Sequence, residues 1–189
     1  MSQANLTRYA WLSIATAFFT LGLKIVAYWM TNSVGMLSDA IESIVNVGAA
    51  VMALTMLNIA ARPADDDHAF GHGKAEYFSS GFEGALIFVA AISIISAAWP
   101  RLFHPQPIEA FNWGFAISIL ASVFNFITAF ILFKAAKKYN SITLEADAHH
   151  LMTDVWTSIG VLIAIVAVAL TGWYVLDALI AIGVALNIL

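Results

Sequence analysis

The segment that decides the fold is residues 34–61, VGMLSDAIESIVNVGAAVMALTMLNIAA. It exceeds the roughly 20 mostly apolar residues that a helix needs to cross a bilayer. Asp39, Glu42 and Asn46 nevertheless interrupt it at i, i+3 and i+7, so they share one helix face. Because a charged side chain at the centre of a membrane helix costs about 2.5–3.5 kcal/mol on insertion scales, we expect this face to meet a cavity or a partner.

The rest of the chain has the composition of a membrane protein. Of its 189 residues, 61% are hydrophobic and 11% are charged, whereas a soluble domain is about half apolar and a quarter charged. The chain has no cysteine, which excludes disulfides and thiolate metal sites, and its net charge of −4 gives no indication of nucleic-acid binding. The first apolar run has no basic segment before it, so we interpret it as a retained helix rather than a signal peptide.

Six apolar stretches of spanning length follow one another along the chain. We expect membrane helices at roughly residues 9–30, 34–61, 77–99, 113–133, 142–170 and 173–189. The sequence therefore predicts an all-α membrane protein, with one six-helix transmembrane bundle over residues 1–189.

The basic residues predict the orientation of this bundle. Six of them fall on the side of the N-terminus, and Arg101 alone falls on the opposite side, with Lys24 inside the first helix. The six are Arg8, Arg62, Lys74, Lys134, Lys137 and Lys138. Under the positive-inside rule both termini should be cytoplasmic, and the protein should be a multi-pass protein of the bacterial inner (plasma) membrane.

The fifth predicted helix carries a second polar face. In the string DAHHLMTD, Asp147, His150 and Asp154 repeat the i, i+3, i+7 spacing of the second helix. The two strings agree further in the Ala after the first Asp and the Val after the last polar residue, a weak trace of an internal repeat. The match is better evidence that the two faces have the same task.

The task that these faces suggest is metal binding. Glu42 and Asn46 are one helical turn apart, as are His150 and Asp154, so each pair can aim at one point. Four N and O donors from two helices predict a site for Zn²⁺, Fe²⁺, Co²⁺ or Mn²⁺, but not for Cu⁺, which prefers sulfur. The alternative is that these polar groups only hydrogen-bond the helices together, for about 0.6–2 kcal/mol per pair.

Four further polar residues lie within the predicted helices, and the roles of three of them are open. Asp39 and Asp147 lie a turn nearer the helix starts, and they are either access groups, groups that hold the ligands in place, or acids favoured by the helix dipole. Lys24 either extends its ammonium group to the membrane surface or pairs with an acid in the bundle. His149 lies about 100° around the helix from His150, and we interpret it as a flanking residue rather than a ligand.

The most polar stretch of the chain is PADDDHAFGHGK, after the second helix. Within it, Asp65, His68 and His72 predict a second, peripheral metal site, supported by Asp66 and Asp67 beside them. The alternative is a solvated acidic loop, which runs of like charge usually are.

These motifs resemble the transmembrane domain of the cation diffusion facilitator family of divalent-metal/proton antiporters. The strings that carry the resemblance are SDAIESIVN, PADDDHAFGHGKAE, DAHHLMTD and LDALIAIGVAL, in that order over essentially the whole chain. The resemblance implies a six-helix fold, usually dimeric, with a transport site at Glu42, Asn46, His150 and Asp154 and a loop site at Asp65, His68 and His72. Family members usually continue into a soluble cytoplasmic domain, which is absent here, so we expect a shortened chain.

One position departs from the family pattern. Members that move zinc or iron commonly have an acid where this chain has Asn46, and Asn also occurs there in some manganese-transporting members. With Glu42 and Asp154 ionised and His150 neutral, the site would hold charge −2. We expect zinc or iron first because His150 remains, and manganese or cobalt second.

The resulting hypothesis is export of a divalent metal from the cytoplasm in exchange for protons, by a homodimer in the lipid bilayer. This hypothesis has two rivals. An intramembrane metalloenzyme is disfavoured because the chain has no HExxH motif and the site has no open position, so neither an enzyme nor a catalytic cofactor is expected. The other rival is a metal-binding membrane module without transport.

Overall fold

The computed structural model describes residues 3–60, 63, 69–72, 74–109, 111–139 and 142–189. These residues form six helices, and no strand occurs among them. The helices are α1 (Gln3–Thr31), α2 (Val34–Ala60), α3 (Ala75–Phe103), α4 (Phe111–Tyr139), α5 (Ile142–Thr171) and α6 (Val175–Ile188). The predicted all-α class and the six helices are confirmed.

Three helix ends differ from the prediction by more than a few residues, and the first is the start of α1, which begins at Gln3 rather than near residue 9. The third helix was expected to stop at Trp99, but α3 continues through Pro100 to Phe103, because proline removes one amide while its carbonyl still accepts from His104 N at 2.9 Å. The fourth was expected to stop at Phe133, but α4 runs to Tyr139. Its last two turns are rich in Ala and Lys, which are strong helix formers, and cations are favourable at a helix C-terminus.

Within the described part of the chain, four helical segments are long and apolar enough to cross a membrane. They are Trp11–Thr31, Gly84–Phe103, Phe111–Tyr139 and Leu144–Thr171. Helix α6 is a shorter apolar helix of 14 residues. The protein is therefore a multi-pass membrane protein, while six crossings and cytoplasmic termini stay predictions.

The distribution of side chains is that of a bundle in lipid. Large apolar residues are exposed along the outside of the helices, whereas the interior contains many polar groups. Exposed examples on four helices are Phe18, Phe88, Phe126 and Ile163. Because lipid is as apolar as these side chains, the helices associate through close packing and internal hydrogen bonds rather than by hiding them.

Small residues set the closest approaches between helices. At the crossing of α1 and α4, Gly114 contacts the Thr31 side chain, and the Ala27 carbonyl lies beside it, so no larger residue fits. Helices α3 and α6 pack through buried alanines, namely Ala91, Ala98, Ala178, Ala181 and Ala185. Helix α1 packs against α4 and α2, α4 against α5, and α2 reaches α5 across the bundle.

A carboxylate from α6 fixes the start of α2. Asp177 accepts hydrogen bonds from Ser33 Oγ at 2.6 Å, Val34 N at 2.8 Å and Gly35 N at 3.0 Å. The first amides of a helix have no partner within the helix, and an anion there is favoured by the helix dipole. This bond set orients α2, whose polar face begins one turn later.

Candidate functional site

The two polar faces predicted from the sequence meet in the bundle at their last residues. Asn46 Nδ2 on α2 donates a hydrogen bond to Asp154 Oδ1 on α5, at 2.9 Å. Asp154 is buried, and Asn46 is half-buried. This bond uses the amide nitrogen, so it leaves the amide oxygen of Asn46 and the second oxygen of Asp154 for another partner.

Glu42 lies one turn before Asn46 on α2. Its Oε2 atom is buried, and no described residue forms a hydrogen bond with it. A buried carboxylate oxygen without a partner is unfavourable, unless a proton or a cation binds there. We therefore expect the partner of this Glu42 oxygen to be a proton or a cation rather than another group of the protein.

His150 is the candidate ligand that the structure does not bring to this point. It is exposed, and among the described residues its ring forms no hydrogen bond with Asp154 or Asp147, whose partners are Asn46 and Ser13. Within the part of the chain that the structure describes, no three His, Asp or Glu side chains form a cluster that could hold a metal ion. Glu42, His150 and Asp154 thus share a region of the bundle without converging on one point in this conformation.

A buried ion pair that the sequence did not resolve lies beside these residues. Lys24 Nζ on α1 donates to Asp39 Oδ1 and to Ser43 Oγ, both at 2.8 Å. Ser158 Oγ on α5 lies 3.0 Å from each carboxylate oxygen of Asp39. We call Lys24, Asp39, Ser43 and Ser158 the Lys24 cluster.

The Lys24 cluster decides between the two alternatives for Lys24, whereas the role of Asp39 near the proposed ligands stays a prediction. Lys24 is 2% exposed and pairs with an acid inside the bundle, so it does not extend to the membrane surface. Asp39 has one oxygen bound by an ammonium group and both oxygens in contact with a hydroxyl, so it is a partner of Lys24 rather than a free ligand. The signal in the sequence was a lysine within an apolar helix, which requires an acid nearby.

The cluster also determines the charge of the site. Lys24 interacts electrostatically with Glu42 and Asp154 as well as with Asp39. When all four groups are ionised, the lysine offsets Asp39, and two negative charges are left on Glu42 and Asp154. That residual charge of −2 equals the charge that one divalent cation neutralises.

The remaining residues of the α5 face have partners of their own. Asp147 is half-buried and accepts a hydrogen bond from Ser13 Oγ on α1 at 2.9 Å. His149 contacts the ring of Phe133 on α4 edge to face, with the ring centroids 4.9 Å apart. This contact agrees with the interpretation of His149 as a flanking residue.

The predicted loop site is only partly visible. Asp65, His68 and the two acids between them lie outside the described residues, as does Arg62 of the orientation argument. His72 is described and half-buried. The loop metal site therefore stays a prediction.

Comparison with known proteins gives one consistent result. A family model described as the cation efflux transmembrane domain matches residues 10–189. An uncharacterised transporter of Synechocystis is 54% identical over 187 residues, which cover 98% of this chain and 60% of the relative. Proteins named cation-efflux pump FieF are 31% identical in Escherichia fergusonii and 30% identical in Klebsiella pneumoniae. Each of these two matches covers 97% of this chain and 61% of the relative, so the chain spans about three fifths of the length of these relatives.

Proposed function

The chain belongs to the cation efflux family, and from that membership we propose that it exports divalent metal cations across the membrane in exchange for protons. The family is one of transporters, and relatives named cation-efflux pumps match nearly the whole chain. The ion, the proton coupling and the residues that bind the ion belong to the proposal.

The observation that carries the proposal is the meeting of α2 and α5 at Asn46 and Asp154. The contact places a carboxylate and an amide side by side, one turn from the unpartnered oxygen of Glu42. Oxygen donors with a residual charge of −2 suit a divalent cation in a low-dielectric surrounding. A purely structural contact between the helices would not need the unpartnered oxygen of Glu42.

We propose Glu42, Asn46, His150 and Asp154 as the transport ligands, with zinc or iron as the first cargo and manganese or cobalt as the second. His150 lies one turn from Asp154 on α5, so a change of its rotamer or a small movement of α5 would bring its ring to the other three. Metal binding then requires both carboxylates ionised and the ring neutral, which couples metal uptake to proton release.

The proposed cycle has two access states. In the first, metal reaches the site from the cytoplasmic end, where the acidic loop with Asp65, His68 and His72 raises the local cation concentration. In the second, the site opens to the opposite side, and protons there compete with the metal for the ligands. We include in the proposal six crossings, cytoplasmic termini and a homodimer.

The test is metal flux into or out of proteoliposomes that carry a defined pH gradient. We expect gradient-dependent zinc or iron flux for the wild type and a loss of at least tenfold for Asp154→Asn. Thr153→Ala is the matched control, because Thr153 is exposed one residue away and its hydroxyl only contacts the His149 carbonyl of its own helix. Unchanged flux for Asp154→Asn, or wild-type flux that ignores the gradient, would contradict the proposal. Metal binding with no flux at all would favour a binding module instead.

A further inference from the structure

One face of α1 is polar from its first half to its middle, although the helix crosses the membrane. The face consists of residues spaced by 3, 4 and 4, namely Ser13, Thr16, Thr20 and Lys24. All four are buried. Since the surrounding lipid offers no hydrogen-bond partners, each of these groups should have a polar partner from the protein or from water inside the bundle.

Three of the four are bonded to another helix. Ser13 Oγ donates to Asp147 on α5 at 2.9 Å, Thr16 Oγ1 lies 2.9 Å from Thr128 Oγ1 on α4, and Lys24 Nζ donates to Asp39 on α2 at 2.8 Å. The exception is Thr20, whose hydroxyl contacts the Ala17 carbonyl of its own helix at 3.3 Å. Thr20 is thus the one residue of this face without a polar partner on another helix among the described residues, which is a gap in the interhelical contacts of α1.

The helix register places Asn125 of α4 at this gap. The helices are antiparallel there, because Thr16 contacts Thr128 and Phe19 contacts Phe124, with ring centroids 4.9 Å apart. One turn further along α1 is Thr20, about 6 Å from Thr16, and one turn back along α4 is Asn125, about 4.5 Å from Thr128. Residues at i+4 and i−3 stay on the same face, so both side chains face the same seam.

A second contact, between α4 and α5, shows the height at which Asn125 lies in the bundle. Phe133 and His149 are in ring contact. Eight residues back along α4 is Asn125, and eight residues forward along α5 is Thr157, next to Ser158 of the Lys24 cluster. Asn125 therefore lies at the height of the cluster.

Asn125 is itself unsatisfied. Its side chain is 1% exposed, and none of the described residues forms a hydrogen bond with its Nδ2 or its Oδ1 atom. Buried amides in proteins are nearly always bonded to protein or to ordered water, and an amide offers two donors and two acceptor positions. A polar gap between Thr20 and Asn125 has the chemistry that buried water requires.

We propose that Thr20 and Asn125 hold buried water, and that this water is part of a polar path along α1 that conducts protons between Asp147 and the Lys24 cluster. The path rests on the proton coupling proposed above. Each hydroxyl or water oxygen along it accepts one proton and releases another, so nothing is consumed, while the amide of Asn125 only holds the water in place. The ionisable groups that face it are Lys24 on α1, Asp39 and Glu42 on α2, and Asp147, His150 and Asp154 on α5, and the buried residues of α4 include none.

The absence of cysteine makes the water directly testable. A thiol introduced by Asn125→Cys should react with Ag⁺ in the folded protein, and it should then resist alkylation by a maleimide after unfolding. Ala129→Cys is the matched control, because Ala129 is fully buried one turn away in an apolar cluster of α4 and α5. Phe126→Cys is a second control on the exposed outer face of the same helix. Equal protection of Asn125→Cys and Ala129→Cys, or no protection of Asn125→Cys, would overturn the proposal.

The role in proton movement is tested by Asn125→Leu, which keeps the branched shape and the number of heavy atoms and removes the amide. We expect zinc affinity in detergent within twofold of the wild type, but gradient-driven flux at least tenfold lower, with most of the flux restored in Asn125→Gln. Wild-type flux in Asn125→Leu, or a parallel loss of zinc affinity, would overturn the path. If wild-type flux ignores the gradient, the proposed function fails instead, and the Ag⁺ result still decides whether the site holds water.

Discussion

Asn46 is the residue at which this site differs in charge from one built of acids alone. Its amide donates to Asp154 at 2.9 Å, so it holds the carboxylate without adding charge. In the proposed site the neutral amide leaves a charge of −2 when Glu42 and Asp154 are ionised, and one divalent ion would neutralise that charge. Asn46 therefore allows the two helices to stay in contact when no metal is bound.

We predict that Asn46→Asp destabilises the metal-free protein and makes it more dependent on metal. The substitution removes a donor and places two carboxylates in contact, which should cost about 1–3 kcal/mol. Added zinc should stabilise this variant against unfolding in detergent by more than it stabilises the wild type. Asn112→Asp, on an exposed position at the start of α4, is the control and should change little. Equal metal-free stability of Asn46→Asp and the wild type would contradict the prediction.

The ion pair of Lys24 and Asp39 gives a second prediction at this scale. The two side chains are 1% and 3% exposed, so removing one partner leaves an uncompensated buried charge. Lys24→Met or Asp39→Asn alone should lower the free energy of unfolding by about 3–5 kcal/mol. The double variant should recover most of this loss, because no charge is then unpaired. Measured additivity of the two single losses would show that the pair does not interact as the distance of 2.8 Å indicates.

The sequence was enough to predict which polar residues share a helix face, but not which of them pair across helices. The spacing of Asp39, Glu42 and Asn46 was enough to predict a shared face, and the contact of Asn46 with Asp154 fits the prediction that this face meets that of α5. The pairing of Lys24 with Asp39 could not be derived, because it depends on how α1 is rotated and shifted against α2. Neither the rotation nor the shift is encoded by spacing within one helix.

At the scale of elements, apolar length was enough to predict six helices, but contacts between helices decide their ends. Asp177 shows this most clearly, since it lies in the first turn of α6 and bonds the first turn of α2, 143 residues away from Val34. Its position in the sequence predicts only an acid near a helix start. The bundle uses it as the cap of another helix.

We predict that Gly35→Ala disturbs this cap. A Cβ atom at position 35 would lie 2.9 Å from Asp177 Oδ1 and 3.5 Å from Ser33 Oγ, so the carboxylate must shift from the amides it accepts. The loss should be about 0.5–2 kcal/mol, the usual range for a lost helix cap. Unfolding in detergent measures it, and metal flux should fall as α2 loses its anchor on α6.

Gly160→Ala on α5 is the matched control for this substitution. No heavy atom outside its own helix lies within 4 Å of the added Cβ, and alanine is the better helix former. It should be neutral or stabilising by up to about 1 kcal/mol. If both variants lose stability equally, the Gly35 effect comes from the helix backbone rather than from the contact with Asp177.

At the scale of the whole molecule, the surrounding lipid explains why polar groups lie inside the bundle and apolar groups lie outside. Composition was sufficient to predict membrane insertion, because 61% hydrophobic residues cannot all be hidden in a domain of this size. The position of His150 was not predictable in the same way. His150 is exposed, whereas Asp154, one turn away on α5, is buried. Which of these side chains faces the interior depends on the conformation of the bundle, and one sequence is compatible with more than one conformation.

The last prediction concerns the topology of the bundle, and it uses the cysteine-free sequence as a background. If each long helix crosses the membrane, the α3–α4 turn and the α5–α6 turn lie on one side, and the end of α4 lies on the other. The basic end of α4, with Lys134, Lys137 and Lys138, should be cytoplasmic.

In intact bacteria, an impermeant thiol reagent should therefore label Gln106→Cys and Trp173→Cys, whereas Lys138→Cys should need permeabilised cells. All three positions are exposed, so access to the reagent is decided by the membrane and not by burial. Phe126→Cys, in the middle of α4, is the control and should stay unlabelled in both cases, because a span in lipid excludes the reagent. Labelling of Lys138→Cys and Gln106→Cys from the same side would contradict the crossing of α4, and with it the alternating-access cycle that needs the site between two aqueous sides.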